Sequence, residues 1–148
     1  MEPIRSVLVA VDLSARSGLV LETALRVVES QEANFLLLHV IRDIAADVAF
    51  YDSTSDVGSL QGELESGADA QLTALRDEVA GPRKVAVEVR SGLPWAEIVA
   101  AAIRERSELV VMGAHFHDEG RNRVLADAVS KVTQLAPCPV LVVPTAEE

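Results

Sequence analysis

Ser6-Val7-Leu8-Val9-Ala10-Val11 is an uncharged run, half of it β-branched valine. Such a run reads as a strand buried on both faces, the pattern of a parallel sheet. Asp12-Leu13-Ser14 turns the chain out of it. Residues 18–32 follow with Leu21, Ala24, Leu25 and Val28 at spacings of three and four, which predicts a helix with one apolar face. Residues 34–41 (NFLLLHVI) are a second uninterrupted apolar run and a second buried strand. A strand, a helix and a second buried strand in this order make a right-handed crossover between parallel neighbours.

The same alternation continues to the end of the sequence. Residues 42–62 show no period and contain Asp43, Asp47, Asp52, Asp56 and several serines, so they read as a long loop. A helix is expected over residues 63–79, stopped by Gly81-Pro82, and a third strand over 84–90. Ser91-Gly92-Leu93-Pro94 turns into a helix over 95–106, with Pro94 suited to its first turn. Leu109–Gly113 (LVVMG) is the fourth strand, residues 114–125 a polar loop, 127–135 the last helix, and Val140–Val143 the fifth strand. Five strands alternating with helices predict an α/β three-layer sandwich, a parallel sheet covered on both faces. A ligand crevice is expected at the carboxyl ends of the strands, where the strand order reverses.

The 148 residues suit one domain, 1–148, large enough to bury a core without staples. Aromatics are only 3% of the chain, so the core is aliphatic. The 23 acids exceed the 13 bases by 10. That charge argues against a general nucleic-acid binder and against docking on anionic membranes. The single cysteine, Cys138, excludes an internal disulfide and a cysteine zinc cluster. Residues 1–5 lack the features of a secretory leader, and no apolar run reaches membrane-spanning length, so a cytoplasmic protein is expected.

Four segments resemble the universal stress protein family over nearly the full length. They are Val11-Asp12 with its serine-containing turn, and Leu37-Leu38-His39-Val40. The third comprises Gly92-Leu93-Pro94 together with Val110-Val111-Met112-Gly113-Ala114-His115, and the fourth runs Ala136-Pro137-Cys138-Pro139 into Val140-Leu141-Val142-Val143. The resemblance implies a five-stranded Rossmann-like domain that dimerises, and many members bind ATP while others do not. It places Asp12 beside adenine and ribose, with Val40, Gly113, His115, Ala126, Asp127 and Ala128 as the other candidate crevice residues. Nucleotide-binding members carry a glycine, two residues, a glycine, nine residues, then glycine and serine or threonine. Here that spacing meets Gly113, Phe116, Ala126 and Asp127. Phe116 puts a ring where a bare Cα is expected and loses the easy positive φ of glycine. Asp127 reads as the N-cap of the last helix, its carboxylate occupying the place a phosphate would take. Two like charges about 4 Å apart repel by roughly 4 kcal/mol at an effective dielectric near 20.

Each remaining feature has a plain reading beside a functional one. Asp12 can contact a nucleotide or simply cap the turn with Ser14. His115, His117 and Asp118 have metal-like spacing, but a polar loop explains them too, and no metal is expected. His39, inside an apolar strand, reads as a core or cleft histidine bonded to backbone, Trp95 as packing, and Cys138 as an inert thiol. Val140, Leu141, Val142 and Val143 form an apolar last strand expected at a sheet edge, where two copies can pair about a two-fold axis. The leading expectation is a dimeric stress-response module that meets an unidentified partner protein, with weak or lost ATP binding and no catalysis. The alternatives are a sensor of ATP or AMP and a nucleotide- or metal-dependent hydrolase.

Overall fold

The computed structural model describes residues 2–42, 57–114 and 123–145; the side chains of residues 57–59 and 123–127 lie outside the described set. The elements run β1 (Ser6–Ala10), α1 (Ser17–Val27), β2 (Asn34–Arg42), α2 (Val57–Val79), β3 (Val85–Gly92), α3 (Pro94–Arg104), β4 (Leu109–Gly113), α4 (Arg123–Leu135) and β5 (Val140–Val143). The strands form one sheet in the order β3-β2-β1-β4-β5, and every neighbouring pair is parallel. The expected α/β sandwich is therefore present, with β5 at one edge and β3 at the other.

Strand alternation sends successive side chains to opposite faces, and each face builds its own core. Val7, Val9 and Val11 of the β1 region pack with Phe35, Leu37, Val20, Leu21 and Leu72 under α1 and α2. Leu8 and Ala10 pack with Leu38, Val40, Ile98, Ala101 and Val132 under α3 and α4. Each large aliphatic side chain removed from water in this way contributes roughly 1.5–3 kcal/mol. Among the described residues no helix is long and apolar enough to cross a membrane.

Three helix boundaries differ from the sequence expectation by four residues or more. Helix α1 ends at Val27 rather than at residue 32. The guanidinium of Arg83, far away in sequence, donates to the carbonyls of Leu25, Val28 and Ser30 and lies over the Phe35 ring at 5.1 Å. It thus caps the helix end and satisfies carbonyls that have no partner within the helix. Helix α2 begins at Val57, so residues 57–62 are helix and not loop. Helix α4 begins at Arg123, four residues before Asp127. Asp127 is consequently the fifth residue of the helix and not its N-cap, about 6 Å along the axis from the first residue.

Arg83 holds α1 against β2, and α1 in turn fixes the turn that carries Asp12. Replacing Arg83 by Ala should cost about 2 kcal/mol, because several charge-assisted bonds to half-buried carbonyls are lost together. Arg83→Lys should recover less than half, since an ammonium lacks the planar fork. Chemical denaturation of the three proteins checks both statements.

Candidate functional site: the crevice at the carboxyl ends of β1 and β4

The strand order reverses between β1 and β4, whose following helices lie on opposite faces. The two connections diverge there, which is where folds of this kind place a ligand crevice. Register decides what lines it. Ala10 stands opposite Leu38 of β2 and Met112 of β4. Asp12 follows two residues beyond Ala10, Val40 lies two residues beyond Leu38 in β2, and Gly113 follows Met112 at the end of β4. The structure thus brings Asp12, Val40 and Gly113 together at the switch point. Val40 and Ala128 are both buried, at 1% and 4% exposure, with their side chains spent on the core under α3 and α4.

Asp12 is organised by the turn that follows it. Its Oδ1 accepts the Ser14 backbone N–H at 3.0 Å and the Ser17 hydroxyl at 3.5 Å. Capping is therefore a real part of its role, beside whatever it offers a ligand. The turn stores strain: Leu13 has φ of 61°, a left-handed conformation that costs a residue with a Cβ roughly 1–2 kcal/mol. His39 is 8% exposed and its Nδ1 lies 2.9 Å from the Val11 carbonyl oxygen. A carbonyl only accepts, so Nδ1 carries the proton. This matches the backbone-bonded core histidine read from the sequence.

Gly113 was expected to leave room for a nucleotide. A Cβ built on it would lie 3.1 Å from Thr145 Cγ2 and 3.4 Å from Val20 Cγ2. Its smallness is therefore already used by the chain's own packing. The Ala114 N–H donates to the Val143 carbonyl at 2.8 Å and ties the exits of β4 and β5 together, which keeps Thr145 at that position. Sequence reading missed Thr145, because a contact between the end of β4 and the residue after Pro144 has no local signal.

His115, Phe116, His117, Asp118 and Arg121 lie outside the described residues, and Ala126 and Asp127 are placed only as backbone of α4. The sequence argument that an N-cap carboxylate takes the phosphate's place does not survive the earlier helix start. A carboxylate one turn inside the helix still adds negative charge near the positive end of its dipole. The Lys131 ammonium lies 5.8 Å from the centre of the Trp95 ring. Trp95 itself packs on the α3–α4 core, as expected. Burial pushes the Cys138 thiol up, which suppresses the thiolate. Among the described residues no group of three metal-ligating side chains comes together.

Gly113→Ala should destabilise the protein by about 1 kcal/mol through overpacking. Thr145→Ser keeps the hydroxyl and removes the crowding methyl, so adding it to Gly113→Ala should recover most of the loss. A double-mutant cycle on thermal melts checks this. Strict additivity would mean that Thr145 does not occupy the space.

Residues 3–144 match the model of the universal stress protein family. The chain is 29% identical over 139 residues to universal stress protein A homolog 1 of Coxiella burnetii, covering 94% of this chain and 95% of that protein. The fold is similar to that of universal stress protein UspA from Lactobacillus plantarum, with a TM-score of 0.75 at 24% identity over 97% of this chain and 99% of that one. It is also similar to a universal stress protein family protein from Arabidopsis thaliana solved with AMP bound, with a TM-score of 0.58 at 20% identity over 96% and 92% of the two chains. With the family model spanning the sheet and all four of the described helices, the chain belongs to the universal stress protein family.

Proposed function

We propose that this protein is a cytoplasmic stress-response module that pairs with a second copy through β5 and acts by engaging a partner protein. ATP binding in it is weak or lost, and it has no catalysis of its own. The observation that carries the reading is the contrast between the two sheet edges. On β3, Glu88 is ion-paired to Arg104 at 2.7 Å and Arg90 to Glu97 at 3.8 Å. Charges on an edge strand oppose pairing with another chain. β5 is uncharged, and Val140, Leu141 and Val142 are only half-buried.

The ladder shows which backbone groups of β5 are turned outward. Val110 donates to the Pro139 carbonyl and Ala114 to that of Val143, so the odd-numbered residues of β5 face β4. Val140 and Val142 therefore direct their N–H and C=O groups to the open side of the sheet. Two such edges brought together antiparallel would bond to one another about a two-fold axis.

A second reading, an adenine-nucleotide sensor, is favoured by the gathering of Asp12, Val40 and Gly113 at the switch point. The Arabidopsis relative with AMP bound supports the same reading. It requires the adenosine side of the crevice to work although Phe116 and Asp127 replace the family's glycine and hydroxyl residue.

Sedimentation equilibrium should give the wild type a mass twice the 15.8 kDa of one chain. Val142→Pro removes an outward N–H and leaves the β4 ladder intact, an arrangement in which an edge strand tolerates proline. This variant should sediment as a single chain and still melt cooperatively. A monomeric wild type, or a Val142→Pro protein that remains dimeric, would contradict pairing through β5.

A further inference from the structure

A groove of about 390 Å³ separates α1 from α2 on the face of the sheet opposite α3 and α4. Leu13, Ser14 and Gly18 line one wall, and Gln71, Leu75 and Glu78 the other. The two helices come close at Gly18, where a Cβ would be 3.7 Å from Leu75 Cδ1. Residues three and four apart on a helix share a face, so positions 78, 75, 71, 67, 64 and 60 follow one line along α2. Beyond the groove this line presents Leu64 and Leu60, which are 41% and 40% exposed.

The first half of α2 has little to hold it to the body. From residue 60 to residue 67 only Gln61 is better than exposed. Gln61 Nε2 donates to Ser91 Oγ at 2.7 Å and Ser91 donates to Glu65 at 2.8 Å, a polar tether to the end of β3. Gly62 and Gly67 have nothing within 4 Å of where a Cβ would sit. Two interior glycines cost a helix about 1 kcal/mol each, and Leu60 and Leu64 on this line keep about two-fifths of their surface exposed. At 23 residues, α2 is about 35 Å long, against about 17 Å for β1, so it is longer than the sheet strand it flanks.

Charge selects the occupant. Along its length α2 carries Glu63, Glu65, Asp69, Asp77 and Glu78 against one base, Arg76, which is turned to Asp77 and the Val85 carbonyl, and Glu78 lies in the groove wall. A second copy of the chain, with its net charge of −10, would bring the same acids to the same place. We propose that the α1–α2 groove, prolonged by Leu64 and Leu60, seats a basic amphipathic helix of a partner protein. Its apolar stripe lies along Leu60, Leu64 and Leu75, and its lysines or arginines meet Glu63 and Glu78. Laying the apolar face of a helix into a groove is a recurrent mode of recognition. The inference rests on the interaction-module reading above and gives that module its partner chemistry.

The probe is a labelled helical peptide of about 18 residues, roughly 27 Å long, built from leucine and lysine with the leucines at spacings of three and four. A control peptide has the same composition in scrambled order. Fluorescence anisotropy with the full chain should show the amphipathic peptide binding at least about tenfold more tightly than the scramble. Leu64→Ser removes an exposed anchor, and Ala74→Trp fills the groove from an exposed position. Each should weaken binding about tenfold with the melting temperature little changed. Glu78→Lys should weaken it and flatten its salt dependence. Val142→Pro should bind like the wild type, so failure of β5 pairing and failure of this groove are read separately. Equal binding of the two peptides, undiminished binding by Leu64→Ser and Ala74→Trp, or no binding of either peptide would overturn the proposal.

Discussion

β1 is the constraint on which the rest of the molecule depends. It is hydrogen-bonded in parallel to β2 on one side and β4 on the other, and Val7 through Ala10 are at most 1% exposed. A strand so placed admits neither charge nor a slip in register, since a shift of one residue would exchange its two buried faces. Its fixed register sets Ala10 between Leu38 and Met112, so that Asp12 leaves the sheet near the ends of β2 and β4. Because the chain leaves β1 toward α1 and leaves β4 toward α4 on the opposite face, the crevice is a consequence of the central strand and not of any loop.

The aliphatic composition has effects well away from the core. With few aromatics to fill space, close approach does the work: Thr145 and Val20 on Gly113, and α1 near α2 at Gly18. Phe35, one of three phenylalanines, is the ring over which Arg83 is laid. The charge balance divides the surface in the same way. β3 is guarded by ion pairs and α2 is acidic, while β5 carries no charge at all. Uncharged β5, and Leu60 and Leu64 on α2, are the apolar surfaces on which the two proposals above rest.

The strands were legible in the sequence because parallel strands buried on both faces cannot hide their composition. β4 and β5 fall on the residues read from the chain alone, and β1 and β2 within one residue of them. Helix ends were not legible where a distant residue sets them. No local signal shows that Arg83 will take the carbonyls at the end of α1. No apolar period marks the early start of α2, because residues 60 and 62–67 are exposed and glycines stand at 58 and 62. Asp127 looked like a cap because aspartate commonly is one; the start of α4 at Arg123 moves it a turn inside. That Asp12, Val40 and Gly113 stand toward the carboxyl ends of β1, β2 and β4 was legible from the strand pattern and the resemblance. Thr145 was not, since its role arises only when the ends of β4 and β5 are side by side.

The measurement that bears most directly on this account is isothermal titration of the wild-type protein with ATP and then AMP, with and without magnesium. The account predicts no micromolar binding of ATP: Gly113 is already packed against Thr145 and Val20, and the family's second glycine and terminal hydroxyl residue are replaced by Phe116 and Asp127. Micromolar ATP binding would contradict it and make this universal stress protein a nucleotide sensor with an altered phosphate cradle.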